Sequence, residues 1–266
     1  MNIIVCCKQV LDPEAPPASF KIDPTGSKVV PPQNVPPVVS PFDENAIEAA
    51  LKIKDKQDCK ITVISLGNNL TRDVVKKPLS MGADELVLLE DTAFEDGDSW
   101  STAYALAMAI KKMGEYDLIL CGRQAADWDA GQVGPGIAEI LGLPTITLAK
   151  KIDIVDGKAK VQRVLADGYQ VIEVNLPALI TVSNELGEPR YATLKGIMAA
   201  AKKQPTVWKP ADIGLEPSQI GAAGRKSKLL KLFQPIREGK CELVEADSPA
   251  DAGTMLANKL RETKLI

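Results

Sequence analysis

Leu118-Ile119-Leu120-Cys121-Gly122-Arg123-Gln124-Ala125-Ala126-Asp127-Trp128-Asp129-Ala130-Gly131-Gln132-Val133-Gly134-Pro135-Gly136 is the stretch whose reading decides the fold. A short apolar run ends at Gly122, a polar loop follows, and a glycine-rich segment opens into Ile137-Ala138-Glu139-Ile140-Leu141. The pattern is strand, loop, helix. In an open parallel sheet, ligands bind in the crevice outside such a strand end. A helix N-terminus there offers free N–H groups and a positive dipole end to a phosphate. Two readings fit the stretch alone: a cradle for a nucleotide pyrophosphate, and a tight turn that needs glycines for its backbone.

Upstream, the same alternation repeats. Asn2-Ile3-Ile4-Val5-Cys6-Cys7 is an apolar run suited to a strand buried on both faces, and it ends at Lys8-Gln9 on the crevice side. Lys8 there can meet a phosphate or remain a solvated surface lysine. Residues 11 to 41 are rich in proline, which rules out a long helix. A short hairpin is expected there, Phe20-Lys21-Ile22 against Lys28-Val29-Val30. Ser40-Pro41-Phe42-Asp43 opens a helix, with Pro41 suited to the first turn and Asp43 closing a capping-box-like pattern with Ser40. Lys60 to Gly67 is the second strand, Thr71 to Met81 a helix disturbed by Pro78, and Glu85 to Leu89 the third strand. Asp98 or Ser99 caps the helix that runs to Met113. The hydroxyl-rich start of that helix, with Asp98, Ser99 and Thr102, serves either a phosphate or ribose, or plain N-capping. Four strands alternating with helices specify a doubly wound, mostly parallel α/β sheet. No GxGxxG follows the first strand, which disfavours an ordinary NAD dehydrogenase.

Downstream of Pro144 the texture changes. A hairpin around Asp156-Gly157 and the strands Gln162 to Leu165, Tyr169 to Val174 and Ala178 to Val182 are expected to form an antiparallel extension of the sheet. Lys195 to Lys203 is a short, weakly amphipathic helix. The expected division is an α/β nucleotide-binding domain over 1–205 and, over 206–266, a C-terminal arm with a final helix from Ser248-Pro249 to Thr263. The arm's apolar stripe (Ala252, Met255, Leu256, Leu260) is buried either on a partner subunit or on its own domain.

Composition narrows the chemistry. The 266 residues carry a net charge of −3 and 4% aromatics, which leaves no basic footprint or stacking platform for nucleic acid. No apolar run approaches the ~20 residues of a membrane span, and the first residues lack a signal-peptide pattern, so a cytoplasmic protein is expected. There is no histidine, so histidine-based catalysis and histidine metal sites are absent. The five cysteines, Cys6, Cys7, Cys59, Cys121 and Cys241, show no CxxC spacing. They read as reduced, mostly buried thiols, with no metal centre. Redox chemistry in such a chain has to come from a bound cofactor.

Four blocks together resemble the β subunit of an electron-transfer flavoprotein over nearly the whole chain. They are Val5-Cys6-Cys7-Lys8-Gln9-Val10, Ser40-Pro41-Phe42-Asp43-Glu44-Asn45-Ala46, Gly122 to Gly134, and Glu188-Pro189-Arg190-Tyr191-Ala192-Thr193-Leu194 with Ile197-Met198 behind it. A further signature, from Val161 to Thr181, has Ala166 where an acidic residue is usual. The resemblance implies an adenine-nucleotide α-hydrolase-like fold and a heterodimer with an α subunit that carries the exchangeable FAD. It also implies a nucleotide in this chain, against Cys6, Lys8, Ser40, Phe42, Asp43, Val63, Leu66, Cys121, Gly122, Arg123, Gln124, Ala125, Asp127, Asp129, Gly131, Gln132, Val133 and Gly134. The helix start from Gly131 to Gly134 is implied to hold its phosphates. Tyr191, Leu194, Ile197 and Met198 resemble the docking surface for a flavin-dependent dehydrogenase, with Leu194 the inserting side chain.

In one branch of that family the nucleotide of this subunit is AMP, a structural ligand. In the electron-bifurcating branch it is a second FAD, which takes a hydride from NADH and splits the electrons between a low-potential acceptor, ferredoxin or flavodoxin, and a higher-potential one. The stretch Gly97 to Thr102 and the entry from Ser40 to Ala46 resemble the bifurcating branch. The expected cofactor is therefore FAD, with AMP as the alternative and NAD(H) as electron donor or acceptor. Fold alone would also suit a stand-alone adenine-nucleotide-binding regulator of the universal-stress type.

Overall fold

The computed structural model describes residues 1–235, 239 and 241–266. The chain divides into two compact units, Met1–Leu230 and Lys231–Ile266. In the first unit, β1 (Asn2–Cys6) is followed by the excursion with β2 (Gln9–Val10), β3 (Lys21–Ile22), β4 (Val29–Val30) and β5 (Val38–Val39). Then come α1 (Pro41–Lys54), β6 (Lys60–Gly67), α2 (Arg72–Val75), α3 (Lys77–Met81), β7 (Glu85–Glu90), α4 (Ser99–Met113), β8 (Leu118–Gly122) and α5 (Val133–Leu141). The unit continues with β9 (Thr145–Val155), β10 (Lys158–Leu165), β11 (Gly168–Asn175), β12 (Ala178–Val182), α6 (Leu194–Lys202), β13 (Thr206–Trp208) and α7 (Gly221–Gly224). The second unit holds α8 (Pro249–Glu262), capped by the Ser248 hydroxyl, which accepts the Asp251 N–H at 3.2 Å.

Nine strands form one sheet in the order β11-β10-β9-β12-β8-β1-β6-β7-β13. The apolar runs make its centre because a strand covered on both faces has no polar side to show. Residues of alternating parity divide between two cores, as a period of two requires. Ile3, Val5, Ile61, Val63, Leu118, Leu120 and Ile180 face α1. Ile4, Cys6, Ile64, Ile119, Cys121 and Leu179 face α4 and α5. From β1 the chain adds β6 and β7 on one side, then returns through α4 to lay β8 on the other side of β1. The order of strands therefore reverses at β1, and a crevice opens there at the strands' C-terminal ends. The doubly wound class expected from the sequence is the fold observed.

The details depart from expectation in three places. Ala178–Val182 is not part of the antiparallel extension: it lies parallel to both β8 and β9, inside the main sheet. Its five residues are all buried, and a short apolar run does not declare the direction of its neighbours. The antiparallel part is the meander β9-β10-β11 alone. Second, the break near Pro78 is complete, because α2 ends at Val75 and Pro78 sits in the first turn of α3, where its missing N–H costs nothing. Third, the first unit extends past the expected boundary at 205/206. Thr206–Trp208 pairs in parallel with β7, and Ile213, Leu215 and Ile220 are buried in the second core. The hairpin of β3 and β4 and the turn at Asp156-Gly157 form as read.

Leu120 is fully buried in the central strand β8. Leu120→Ala is expected to lower unfolding free energy by about 2–5 kcal/mol in urea denaturation. Val171→Ala, on the exposed face of β11, is expected to change it by less than about 1 kcal/mol.

Candidate functional site

The crevice is built around one carboxylate. β1 and β8 lie side by side with Cys6 opposite Cys121, and the chain leaves them at Lys8 and at Gly122-Arg123. The first turn of α1 crosses both exits. Asp43 Oδ2 accepts the Lys8 N–H at 2.8 Å, and Asp43 Oδ1 accepts the Gly122 N–H at 3.0 Å. A Cβ at position 122 would lie 2.5 Å from Asp43 Oδ1 and 2.7 Å from the Phe42 carbonyl carbon, so only glycine lets α1 seat here.

The expected capping box does not form. Pro41 does occupy the first turn, but the Ser40 hydroxyl makes no cap bond within α1. It accepts the Ala126 N–H at 3.4 Å instead, while Asp43 serves the strand ends. Ser40-Pro41 does mark the helix start, but the Ser40 and Asp43 side chains bond outside the helix.

The loop after β8 folds back over this junction. Lys8 Nζ pairs with Asp127 at 2.7 Å, and Gln124 Nε2 donates to Asp129 Oδ1 at 2.8 Å. The Asp129 N–H donates to the Ala125 carbonyl at 2.9 Å. Asp129 and Gly131 both have positive φ, +51° and +63°, and turn the chain into α5. Gly134 rests on β12, where a Cβ would come within 2.8 Å of Thr181 Cγ2. The glycines thus serve backbone and packing needs, and the same turn starts α5 at the end of β8 with first-turn N–H groups that no i−4 carbonyl can reach.

Arg123 spans the site. Its guanidinium carbon lies 5.1 Å from the Phe42 ring centroid, and Nη1 lies 3.4 Å from Ser183 Oγ and 3.3 Å from Asn184 Oδ1. Its Nε is buried without a hydrogen-bond partner among the described residues. Ser183 and Asn184, which steady Arg123, carry no local sequence signal; only the parallel placement of β12 beside β8 brings them here.

Other expected site residues fall differently. Cys6 and Cys121 are buried neighbours. The Cys6 contact, then burial, raises the Cys121 thiol well above its ordinary value, so it stays protonated. Val63 is fully buried in the core under α1, and Leu66 is half-buried beside the second core. Asp98 is the N-cap of α4: Oδ1 accepts the Ser101 N–H at 2.9 Å in a capping box. Its Oδ2 accepts the N–H groups of Lys226 and Ser227 at 2.7 and 2.8 Å and the Ser227 hydroxyl at 3.0 Å. Burial raises this carboxyl, but those donors outweigh it and bring it down to about 2. Asp98 is therefore committed to the protein's own donors, and Ser99 and Thr102 remain half-buried beside it.

A second set of residues lies at the start of α6. Tyr191, Leu194, Ile197 and Met198 are exposed by 95%, 75%, 50% and 59%. Thr193 Oγ1 caps α6 by accepting the Gly196 N–H at 3.0 Å. Gly196 sits so close to α3 that a Cβ would lie 2.2 Å from the Ser80 carbonyl oxygen. This is an apolar surface held from behind.

Burial pushes the Asp43 carboxyl up to about 7, against the pull of the Lys8 and Gly122 N–H groups and the Lys8 charge. A carboxyl whose pKa is higher folded than unfolded favours the fold when protonated, and that contribution fades as pH rises from 4 through 7. Asp43→Asn also deprives one N–H of its acceptor. Its destabilisation, measured by urea denaturation, is expected to be larger at pH 5 than at pH 8 by about 2–3 kcal/mol; equal values at the two pH values would refute the assignment.

Comparison with known proteins agrees with this architecture. Residues 28–213 match the electron transfer flavoprotein domain. The chain is 41% identical over 268 residues to the caffeyl-CoA reductase–Etf complex subunit CarD of Acetobacterium woodii, covering 100% of both chains. It is 41% identical over 275 residues to an electron transfer flavoprotein subunit beta of Megasphaera elsdenii, and 38% identical over 267 residues to that of Clostridium acetobutylicum, again covering 100% of each chain. The chain belongs to the electron transfer flavoprotein family, among its β subunits.

Proposed function

We propose that this chain, paired in the cytoplasm with an α subunit, holds FAD in the crevice at β1 and β8 and passes electrons between NADH and a flavin-dependent dehydrogenase. The mode we infer is flavin-based electron bifurcation, with ferredoxin or flavodoxin as the low-potential acceptor. The observation that carries the reading is the preformed crevice: a strand-order reversal with two strand exits clipped by Asp43 and α5 starting beside them. The residues fit a nucleotide. Arg123 offers a buried Nε without a partner among the described residues, Lys8, paired with Asp127, is a cation at the rim, and the α5 start suits phosphate. A flavin bound there supplies the redox chemistry that a chain without histidine or paired cysteines lacks.

The chain's own residues do the rest. Asp43 fixes the spacing of the two strand exits, and Asp127 with Lys8 holds the loop across them. Ser183 and Asn184 keep Arg123 over Phe42. Tyr191, Leu194, Ile197 and Met198 form the surface we assign to dehydrogenase docking, with a basic rim at Lys195 and Lys202. The relative in Acetobacterium woodii is named for a caffeyl-CoA reductase complex, which supports a partner of acyl-CoA type; a 2-hydroxy-acid dehydrogenase is the alternative partner.

A second reading, a structural AMP without bifurcation, is favoured by one observation. Asp98 and Ser101, part of the stretch that resembles the bifurcating branch, are bonded to each other as a capping box. Heat release of the nucleotides from the purified heterodimer separates the two. Two flavins per heterodimer is the expected result; one flavin and one AMP would sink the FAD reading.

Ser99 makes no capping bond, because Asp98 and Ser101 do that work. We assign the Ser99 hydroxyl to the nucleotide, so Ser99→Ala is expected to leave the melting temperature unchanged while weakening nucleotide retention during dialysis. A lower melting temperature with unchanged retention would return Ser99 to a purely structural role.

A further inference from the structure

Four apolar side chains stand in solvent at the 191–198 surface, and burial cannot be what fixes them. Their position comes from anchors on either side. Downstream, the Thr193 cap and the close seat of Gly196 on α3 hold α6. Upstream, everything converges on Arg190, the residue before Tyr191. Its Nε and Nη2 donate to Glu48 at 2.8 and 3.1 Å, and its own backbone N–H donates to the same carboxylate at 3.1 Å. Nη1 and Nη2 also donate to Asp55 at 3.2 and 2.6 Å, the C-cap residue of α1.

The Glu48 side chain is only 5% exposed, whereas that of Asp55 is 56% exposed. A buried carboxylate held by a planar fork is a directional contact that a lysine cannot copy. The Glu48 pair thus supplies the precision, and Asp55, being solvated, adds little. Earlier in the same segment, Asn45 Nδ2 donates to the Gly187 carbonyl at 2.9 Å and Lys52 Nζ to the Leu186 carbonyl at 3.1 Å. Those two contacts hold the segment to α1 but end at Gly187, four residues before Tyr191.

We propose that Arg190, through Glu48, is the positioning residue of the docking surface: it fixes Tyr191 and Leu194 in the pose that receives the partner, so that association does not have to order them. The inference rests on the docking role assigned above to the 191–198 surface. Ordering exposed side chains on binding costs affinity, so losing the clamp weakens encounter with the partner and leaves the nucleotide site alone.

The test uses the heterodimer with its α subunit and, as probe, a flavin-dependent acyl-CoA dehydrogenase that exchanges electrons with the wild-type protein. Arg190→Gln alone leaves Glu48 buried and unpaired, so it is combined with Glu48→Gln, which removes that charge. The double variant is expected to raise the KM for the dehydrogenase about tenfold, one decade of affinity, with kcat and bound nucleotide unchanged. Amides 190–199 are expected to exchange hydrogen faster. Arg190→Lys, which keeps the charge and loses the fork, falls between. Leu194→Ala is expected to raise the KM with exchange unchanged. If Leu194→Ala raises the KM and the double variant changes neither KM nor exchange, the role of Arg190 is overturned. If Leu194→Ala leaves the KM unchanged as well, the docking role itself falls, and this proposal with it.

Discussion

A single buried carboxylate ties together the two strand exits between which the site lies. Asp43 reaches from the start of α1 to the backbone of two strands that are distant in sequence, and each of its oxygens takes one N–H. That contact sets why position 122 has no side chain, and the Ser40–Ala126 bond and the Lys8–Asp127 pair lie beside it. Burying a carboxyl is costly unless its oxygens are hydrogen-bonded, and here two backbone donors meet it. The same groups explain its divided character: burial favours the proton, and the donors favour the charge.

How much of this was legible before the structure depends on the range over which each feature acts. Central strands, helix starts and the hairpin turns declare themselves through neighbours within a few residues, and the structure has them where the sequence places them. The direction of Ala178–Val182 did not, because five apolar residues look alike in parallel and antiparallel pairing. Asp43 was legible as part of a helix-start pattern, yet its partners lie 35 and 79 residues away, and no local spacing announces them. Thr206–Trp208 was missed as a sheet strand for a related reason: three residues at an edge carry too little periodicity to count. Ser183 and Asn184 entered the site only because β12 is parallel to β8.

The two functional surfaces are built on different physics. The crevice is assembled by buried polar contacts and close glycine approaches. The 191–198 surface is the reverse, apolar side chains in water secured by contacts behind them. α1 belongs to both: its first turn clips the strand exits, and Asn45, Glu48 and Lys52 along its length, with Asp55 at its C-cap, hold the segment that leads to Tyr191.

The position of β12 has a consequence for the order in which the sheet can come together. It is flanked by β8 and β9, both made earlier. Until residue 182 has been synthesised, β8 presents an open edge, and the β9-β10-β11 ribbon has only its own local pairings. The last of these strands is thus the rivet that turns two separate sheets into one, through contacts spanning 60 residues between Ala178 and Leu118 and 34 between Leu179 and Thr145. Pairings of such sequence separation form late and slowly. An apolar segment so placed leaves the edges of both its neighbours unpaired until it arrives.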